Sequence, residues 1–213
     1  STIRDGGIQK DQPLKQNLMT TNFRMLLSLG AAVAITASAS AGIIEFDLMG
    51  TAGTGLLGGN ENPAVAGGGS GGEDGLGISY DNISKILTIN VAWGSSYGFT
   101  DLTGPVTLAH IHGPTDSPPA GFGQNAGATI SLHDKGGFNA SASAGGFWGT
   151  IPTINESDLL AGKLYLNVHT DVYGTGEIRG QMVPVPEPGH YALFAASGLF
   201  GMVLMRRRRA SKA

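Results

Sequence analysis

Short segments in which apolar and polar residues alternate restrict the possible folds of this chain more than any other feature. In the segment KILTINVAW, the side chains of Leu87, Ile89, Val91 and Trp93 share one face of an extended strand. The same period of two recurs in GIIEFDL, PVTLAHIHG, ATISLHD, KLYLNVHT and GEIRGQMV. Between residues 42 and 185, no segment keeps a helical period over several turns. This pattern predicts an all-β protein with a single antiparallel β-sandwich or β-barrel domain.

Glycine-rich stretches separate the alternating segments. Glycine supplies 35 of the 213 residues, and charged residues supply 14%, which is well below the usual quarter. The main stretches are residues 67–75, 121–127 and 136–146, and we interpret them as turns and loops. The first of them, GGGSGGEDG, predicts a flexible surface loop. It is not a phosphate-binding loop, because no Lys-Ser or Lys-Thr pair follows it.

The segment NESDLLAGK predicts a single helical turn within the domain. Asn155 and Ser157 are both suitable N-cap residues, and Gly162 is a suitable stop. This short helix interrupts the run of strands without changing the all-β class.

Net charge and cysteine content exclude several classes of function. The formal net charge is −3, so the chain lacks the basic field that attracts nucleic acid, and we expect no nucleic-acid partner. The chain contains no cysteine, which excludes disulfides, thiolate metal ligands and a cysteine nucleophile. No serine-nucleophile motif, phosphate loop or paired-carboxylate pattern is evident, so we expect a protein that is not an enzyme.

The N-terminal region has the layout of a secretory signal peptide. Residues 19–41 carry the positive side chain of Arg24 near their start, continue into a short apolar segment and end in Ala-Ser-Ala. This pattern predicts cleavage by signal peptidase between Ala41 and Gly42; a buried helix is the alternative. The polar residues 1–18 carry no pattern of their own, and we interpret them as an over-extended start before the true initiating methionine.

The C-terminal region carries a second address signal. Residues 184–190 form a proline-rich linker, and residues 191–213 contain an apolar segment followed by arginines. The fifteen uncharged residues before the arginines span about 22 Å as a helix, and the arginines favour a cytoplasmic C-terminus. We therefore predict a transmembrane helix that holds the domain on the outer side of the membrane.

This tail resembles the PEP-CTERM sorting signal, which exosortases process in Gram-negative bacteria that make extracellular polysaccharide. The resemblance implies cleavage near the proline motif, transient anchoring in the inner membrane, and delivery to the outer envelope or extracellular matrix. An ordinary C-terminal anchor after a proline linker is the alternative. The residues that carry the resemblance are Pro186, Glu187 and Pro188, followed by Arg206, Arg207, Arg208 and Arg209.

Three histidines form the candidate binding site. His110 and His112 occur in the segment AHIHGP, and residues i and i+2 of a strand project from one face. His169, in the segment LYLNVHT, joins them if the two strands pair. Imidazole nitrogens are ligands for zinc or copper. His133, with Asp134 beside it, is a candidate fourth ligand.

Two other interpretations of these histidines stay open. In the first, the rings only hydrogen-bond to backbone groups and support loops, with no cofactor. In the second, a bound metal ion supports weak redox activity. The His-x-His strand is similar to that of the copper/zinc superoxide dismutases, but the sequence lacks a dense His/Asp zinc loop, and a shared fold does not establish an activity.

Four segments resemble the CHRD domain, which was first described in chordin and is common in bacterial exported proteins. They are LGGNENPAV, LAHIHGP, LLAGKLYLNVHT and GTGEIRGQM, and they occur in this order within residues 42–183. The resemblance implies an all-β extracellular domain. The bacterial members of this family have no settled biochemical role, so the resemblance supports the fold and leaves the function open.

The residues around the last alternating segment have structural interpretations. Glu177 and Arg179 share a strand face, which predicts an ion pair with each other or with a neighbouring strand. Gly176 and Gly180 predict close packing of the backbone.

These observations predict an exported, non-enzymatic protein with a structural or adhesive role at the cell surface or in the extracellular matrix. Its expected partners are signal peptidase and exosortase during processing, and then exopolysaccharide or surface proteins. Metal binding by the histidines is the first alternative. The second is a polysaccharide-binding module in which aromatic rings stack on sugars. Its candidate residues are Trp93, Tyr97, Phe99 and Trp148.

Overall fold

The computed structural model describes residues 42–186, and these residues form an all-β domain. Every strand pairing among them is antiparallel. The all-β prediction is therefore confirmed, while the choice between sandwich and barrel stays a prediction. The strands are β1 (Ile43–Gly50), β2 (Gly53–Thr54), β3 (Leu56–Leu57), β4 (Ser70–Asp81), β5 (Ile86–Trp93), β6 (Val106–His112), β7 (Ala128–Ser131), β8 (Phe138–Asn139), β9 (Gly145–Ile151), β10 (Tyr165–Thr170) and β11 (Ile178–Pro184), and the helix is α1 (Glu156–Leu160).

The two predicted address signals lie outside the described residues. They are the signal peptide that ends at Ala41 and the sorting segment from Glu187 onward, and both stay predictions. Within residues 42–186, no helix is long and apolar enough to cross a membrane.

The order of the strands brings distant segments of the chain side by side. Along the sheet the order is β7-β6-β10-β11-β1-β4-β5-β9-β8, with β2 paired to β1 and β3 paired to both β11 and β4. β10 therefore lies between β6 and β11, and the histidines of β6 and β10 come from adjacent strands. The register sets Asn167 on β10 opposite His110 on one side and Arg179 on the other.

One face of the sheet forms the hydrophobic core, as the alternation predicts. Leu87, Ile89, Val91 and Trp93 are each at most 2% exposed and belong to one cluster. Burying one such large side chain contributes about 1.5–3 kcal/mol to folding, so the core determines which way alternate residues point. The inward residues of β6, β10 and β11 in the same cluster are Val106, Ala109, Ile111, Leu166, Val168, Ile178 and Met182.

The opposite face of β6, β10 and β11 is polar, and most of it is buried as well. The loops that follow β3, β6 and β10 cover it and supply hydrogen-bond partners. We use the term polar face for the side chains that lie there, on these strands or next to them. They are His110, His112, Tyr165, Asn167, His169, Glu177, Arg179 and Gln181.

The glycine-rich segment 67–75 is not a flexible surface loop, so that prediction is wrong. Strand β4 starts within it at Ser70, and Gly71 pairs with Trp93 on β5. A β-carbon at residue 71 would lie 2.5 Å from the carbonyl oxygen of Ala92 and 2.9 Å from Cβ of Trp93. Glycine is needed here because the neighbouring strand approaches its backbone so closely.

The predicted helical turn is present, and Asn155 rather than Ser157 caps it. The Asn155 side chain accepts a hydrogen bond from the Asp158 amide at 3.2 Å. Gly162, with a φ of 68°, follows the end of the turn. Residues 136–146, in contrast, are only partly loop, because they contain β8 and the start of β9.

Replacing Gly71 with alanine tests the close packing of β4. The added methyl group would meet a backbone carbonyl, so we expect Gly71→Ala to lower the free energy of unfolding by about 1–3 kcal/mol in urea denaturation. Gly136→Ala is the control, since a β-carbon there meets no atom within 4 Å. We expect the control to change stability by less than about 0.5 kcal/mol. Equal stabilities of the two variants would contradict a packing role for Gly71.

Candidate metal centre

The structure brings His110, His112 and His169 together on the polar face. One nitrogen of each ring lies within 4.8 Å of those of the other two, and His110 Nδ1 is 3.2 Å from His169 Nε2. His110 and His112 project from the same side of β6, and their ring centroids are 5.4 Å apart. Because β10 pairs with β6, His169 reaches the same place from the adjacent strand.

Hydrogen bonds to loop carbonyl groups orient two of the rings. His112 Nδ1 donates to the Ala126 carbonyl at 2.9 Å, and His169 Nδ1 donates to the Gly174 carbonyl at 3.1 Å. A carbonyl oxygen only accepts, so each Nδ1 carries the proton and each Nε2 keeps its lone pair. Nε2 of His112 is buried and has no hydrogen-bond partner within the described part of the chain. Metal-binding histidines are usually oriented in this way.

His110 completes the group through its Nδ1 atom. Because His169 Nε2 holds a lone pair, the Nδ1–H group of His110 donates to it at 3.2 Å in the metal-free protein. If the proton resides on Nε2 of His110 instead, Nδ1 presents a lone pair. A change of tautomer in one ring therefore converts a hydrogen-bonded pair into two potential metal ligands.

Burial favours the neutral form of all three rings. It lowers the pKa of His169 to about 4, helped by the neighbouring histidines and opposed by the hydrogen bond to Gly174. Burial also lowers the pKa of His110, together with charge repulsion from His112 and His133. The pKa of His112 is lowered by burial as well. Neutral imidazole is the form that binds metal ions, so protons compete weakly for this group.

A stack of side chains supports the His112 ring. The Tyr165 ring lies within 14° of parallel to it, with the ring centroids 4.9 Å apart. The guanidinium carbon of Arg179 is 3.5 Å from the Tyr165 ring centroid, which is a cation–π contact. The Tyr165 hydroxyl accepts from the Ala126 N–H at 3.1 Å and donates to the Ala126 carbonyl at 3.2 Å. The carbonyl that orients His112 thus also anchors the tyrosine stacked on it.

His133 lies beside the three rings but does not belong to the group. Its ring centroid is 5.0 Å from that of His110. Its Nδ1 faces the backbone of Ala109, and its Nε2 is 3.4 Å from the Asp134 carboxylate. Both ring nitrogens therefore face other atoms, and the structure does not bring His133 in as a fourth ligand.

The predicted ion pair of Glu177 and Arg179 is wrong. Within residues 42–186, neither side chain forms an ion pair with the other or with a neighbouring strand. The Glu177 carboxylate instead accepts hydrogen bonds, each 2.8 Å long, from Gly69, Thr103 and Thr170. Arg179 donates to a loop carbonyl at 2.7 Å. The hydrogen-bond partners of Glu177 and Arg179 come mostly from distant segments of the chain. Alternation along a single strand does not predict them.

Gly176 and Gly180 pack closely against other groups, as predicted. A β-carbon at Gly180 would lie 2.9 Å from the carbonyl oxygen of Gly55. A β-carbon at Gly176 would collide with the side chains of Asn167 and Glu61. These glycines therefore allow buried polar side chains and a neighbouring strand to approach the backbone.

Two residues at the site carry little signal in the sequence: Tyr165, which belongs to the polar face, and Glu61, which borders it beside Gly176. Glu61 lies in a segment without alternation, and its one signal is its position within LGGNENPAV. Tyr165 alternates with core residues, which is typical of a solvent-facing position on a strand. It is nevertheless only 2% exposed.

The aromatic candidates for sugar binding do not form one flat surface. Trp93 is buried in the core, where its indole N–H donates to the Ser141 carbonyl at 2.8 Å, so its proposed stacking on sugars is wrong. Tyr97 is 39% exposed, but its ring is tilted by 45° against that of Trp148. The indole of Trp148 is also engaged, because it donates to Asp74 at 2.7 Å.

Comparison with known families identifies the class of protein. The model of the CHRD domain matches residues 53–182, which is more than half of the 213-residue chain. This chain belongs to the CHRD family. Neither the curated proteins nor the solved structures contained a match. The matched range includes all three histidines, and β1, which precedes it, pairs with both β11 and β4.

The low pKa of His169 predicts acid sensitivity in the metal-free protein. A histidine in the unfolded chain takes up a proton near its ordinary value of 6.5, whereas folded His169 does so only near 4. Unfolding is therefore coupled to proton uptake between these values, and the free energy of unfolding falls as the pH drops through this range. The lowered pKa values of His110 and His112 act in the same direction, whereas burial of Glu61 raises its pKa to about 7 and opposes the fall. The contribution of His169 is therefore measured as a difference between the wild type and a variant, by urea denaturation with a chelator at about pH 7, 5.5 and 4.5.

Two variants identify the source of this fall. His169→Gln should make the fall shallower, because it removes a ring whose pKa burial lowers to about 4. His133→Gln is the matched control and should keep most of the wild-type slope. The same slope in His169→Gln and in the wild type would contradict the role assigned to His169.

Proposed function

We propose that this CHRD-family protein is a non-enzymatic binding module that holds one zinc or copper ion on His110, His112 and His169. The main support is the meeting of three neutral imidazoles, two of which are oriented by loop carbonyl groups. The 3.2 Å between His110 Nδ1 and His169 Nε2 also fits an ion between them. Two nitrogens bound tetrahedrally to zinc at about 2.0–2.1 Å are roughly 3.3 Å apart.

The set of donor atoms favours particular ions. Imidazole nitrogens suit zinc and copper, whereas calcium and magnesium need oxygen ligands. Three protein ligands leave the fourth position of a tetrahedral ion for water or for a group from a partner. His110 and His112 are only half-buried, which supports access to that position from solvent. A ligand group supplied there by exopolysaccharide or a surface protein would make the ion an adhesive link.

We also propose that the protein acts outside the cytoplasm. The signal-peptide pattern of residues 19–41 supports export and cleavage by signal peptidase. The PEP-CTERM-like tail supports exosortase processing, transient inner-membrane anchoring, and delivery to the outer envelope or matrix of a Gram-negative bacterium. Membership of the CHRD family is consistent with an extracellular binding module.

Metal analysis tests the metal-binding proposal. We expect the purified protein to contain near-stoichiometric zinc or copper by inductively coupled plasma mass spectrometry. His110→Ala/His112→Ala should lose the metal, because one ligand alone does not hold it, whereas His133→Ala should keep it. With free ion at about 100 times Kd, binding should stabilise the wild type by about 2.7 kcal/mol. A wild type that stays metal-free after incubation with excess ion would contradict the proposal.

Cell fractionation tests the proposed location. We expect the wild-type protein in the outer-surface or matrix fraction, with a mass that shows loss of both terminal segments. Replacing Pro186, Glu187 and Pro188 with alanine should leave a longer form in the inner membrane, because the exosortase site is gone. Pro152→Ala, which changes a proline outside the tail, should be processed normally. A purely cytosolic wild-type pool would refute export.

A further inference from the structure

The carboxyl group of Glu61 is buried close to the candidate metal centre. Glu61 follows the short turn Gly58–Asn60 and is 8% exposed. Its Oε1 atom has no hydrogen-bond partner among residues 42–186, and neither has Oδ1 of Asn167. An ideal β-carbon at Gly176 would collide with Oε1 of Glu61 and with both Oδ1 and Nδ2 of Asn167. The Glu61 carboxyl group and the Asn167 amide group therefore both border the space beside Gly176.

A proton on Glu61 relieves this shortage of donors. Burial raises the pKa of Glu61 to about 7, against the opposing effects of the Arg179 charge and a backbone hydrogen bond with Asn62. The carboxyl group is therefore largely neutral at mildly acidic pH, and a neutral carboxyl group carries an O–H that can donate. A positive charge placed nearby favours loss of this proton.

Asn167 connects Glu61 to the histidines. Its Cα lies opposite that of His110 in the pairing of β6 with β10. It also precedes His169 by two residues, so the two side chains share one face of β10. Asn167 therefore lies beside Glu61 at Gly176 and is the cross-strand neighbour of His110.

The proposed centre contains no anionic ligand. Three neutral imidazoles leave the charge of a divalent ion uncompensated, and uncompensated charge is unfavourable at a site that is only partly open to solvent. Glu177 is a carboxylate on this face, but its oxygens already accept four hydrogen bonds. The titratable and charged side chains of the polar face are His110 and His112 from β6, Tyr165 and His169 from β10, and Glu177 and Arg179 from β11 and the residue before it, with His133 beside the His110 ring.

We propose that Glu61 is the charge-compensating carboxyl group of this metal centre. When a divalent ion binds, the O–H bond of the Glu61 carboxyl group breaks, the proton passes to solvent, and the carboxylate stays beside Asn167. No group is oxidised or reduced. The proposal rests on the proposed metal binding, and it makes ion uptake and proton release reciprocal events.

Proton release during zinc binding tests this role. Zinc is titrated calorimetrically into the purified full chain at about pH 6.5, in two buffers of different ionisation enthalpy. The lowered pKa values of the three rings leave them mostly neutral at this pH. We therefore expect the wild type to release a proton from Glu61 in a large fraction of binding events, because burial raises the pKa of its carboxyl group to about 7.

Matched variants assign the proton to Glu61. Glu61→Gln keeps the shape of the side chain but cannot ionise. This variant should therefore release far fewer protons per bound zinc ion than the wild type. Glu45→Gln removes an exposed carboxyl group and should behave like the wild type. Above about pH 8, the wild type should bind zinc at least tenfold more tightly than Glu61→Gln, and near pH 5.5 the two should bind alike.

The possible outcomes distinguish the role of Glu61 from the metal-binding proposal on which it rests. Equal proton release by the wild type and Glu61→Gln, as a metal-bound water would give, overturns the role of Glu61 but leaves metal binding intact. If zinc does not bind the wild type at all, both proposals fail. If Glu61→Gln does not fold, infrared spectra of the wild type, recorded with and without zinc, test the role of Glu61. Zinc should remove the band of a protonated carboxyl group, and an unchanged band would overturn the proposal.

Discussion

Hydrogen bonds from loops to a buried polar strand surface are the interactions on which the rest of this domain depends. Every residue of β10 is buried, so each of its polar side chains needs a partner inside the protein. Carbonyl groups of Ala126, Gly174 and Thr175 supply such partners to the side chains of His112, His169 and Asn167. Leaving a buried donor without its acceptor costs about 1–3 kcal/mol. The loops therefore stabilise the sheet and orient the candidate ligands through the same contacts.

The balance of donors and acceptors on this surface is the common basis of the two proposals, the bound cation and the proton on Glu61. Four buried side-chain atoms within residues 42–186 have no partner: Glu61 Oε1, His112 Nε2, Asn167 Oδ1 and Gln181 Oε1. None of them is an unpaired N–H group, so the excess is one of lone pairs. A cation or an added proton meets that excess, whereas an anion increases it. The proposed metal centre and the proposed role of Glu61 are two responses to one imbalance.

Alternation along single strands predicted the core and the shared face of His110 and His112, because burial on one side forces a period of two. It could not predict that β6 and β10 are neighbours, since strand pairing depends on packing between distant segments. The alternation pattern also assigns the polar residues of a strand to solvent. It therefore did not predict that loops bury Tyr165 and Arg179. The flexible loop predicted for residues 67–75 was wrong for a different reason, as Gly71 shows. Glycine serves both in mobile turns and at the closest backbone contacts, and composition does not distinguish the two.

The first and last strands of the described domain lie side by side. Phe46 on β1 is opposite Pro184 on β11, and the Val185 N–H donates to the Glu45 carbonyl at 2.9 Å. The chain therefore enters and leaves the domain at one corner. Either end can serve as the attachment point without reorienting the domain on a surface, and a pulling force applied at either end loads the same ladder of hydrogen bonds.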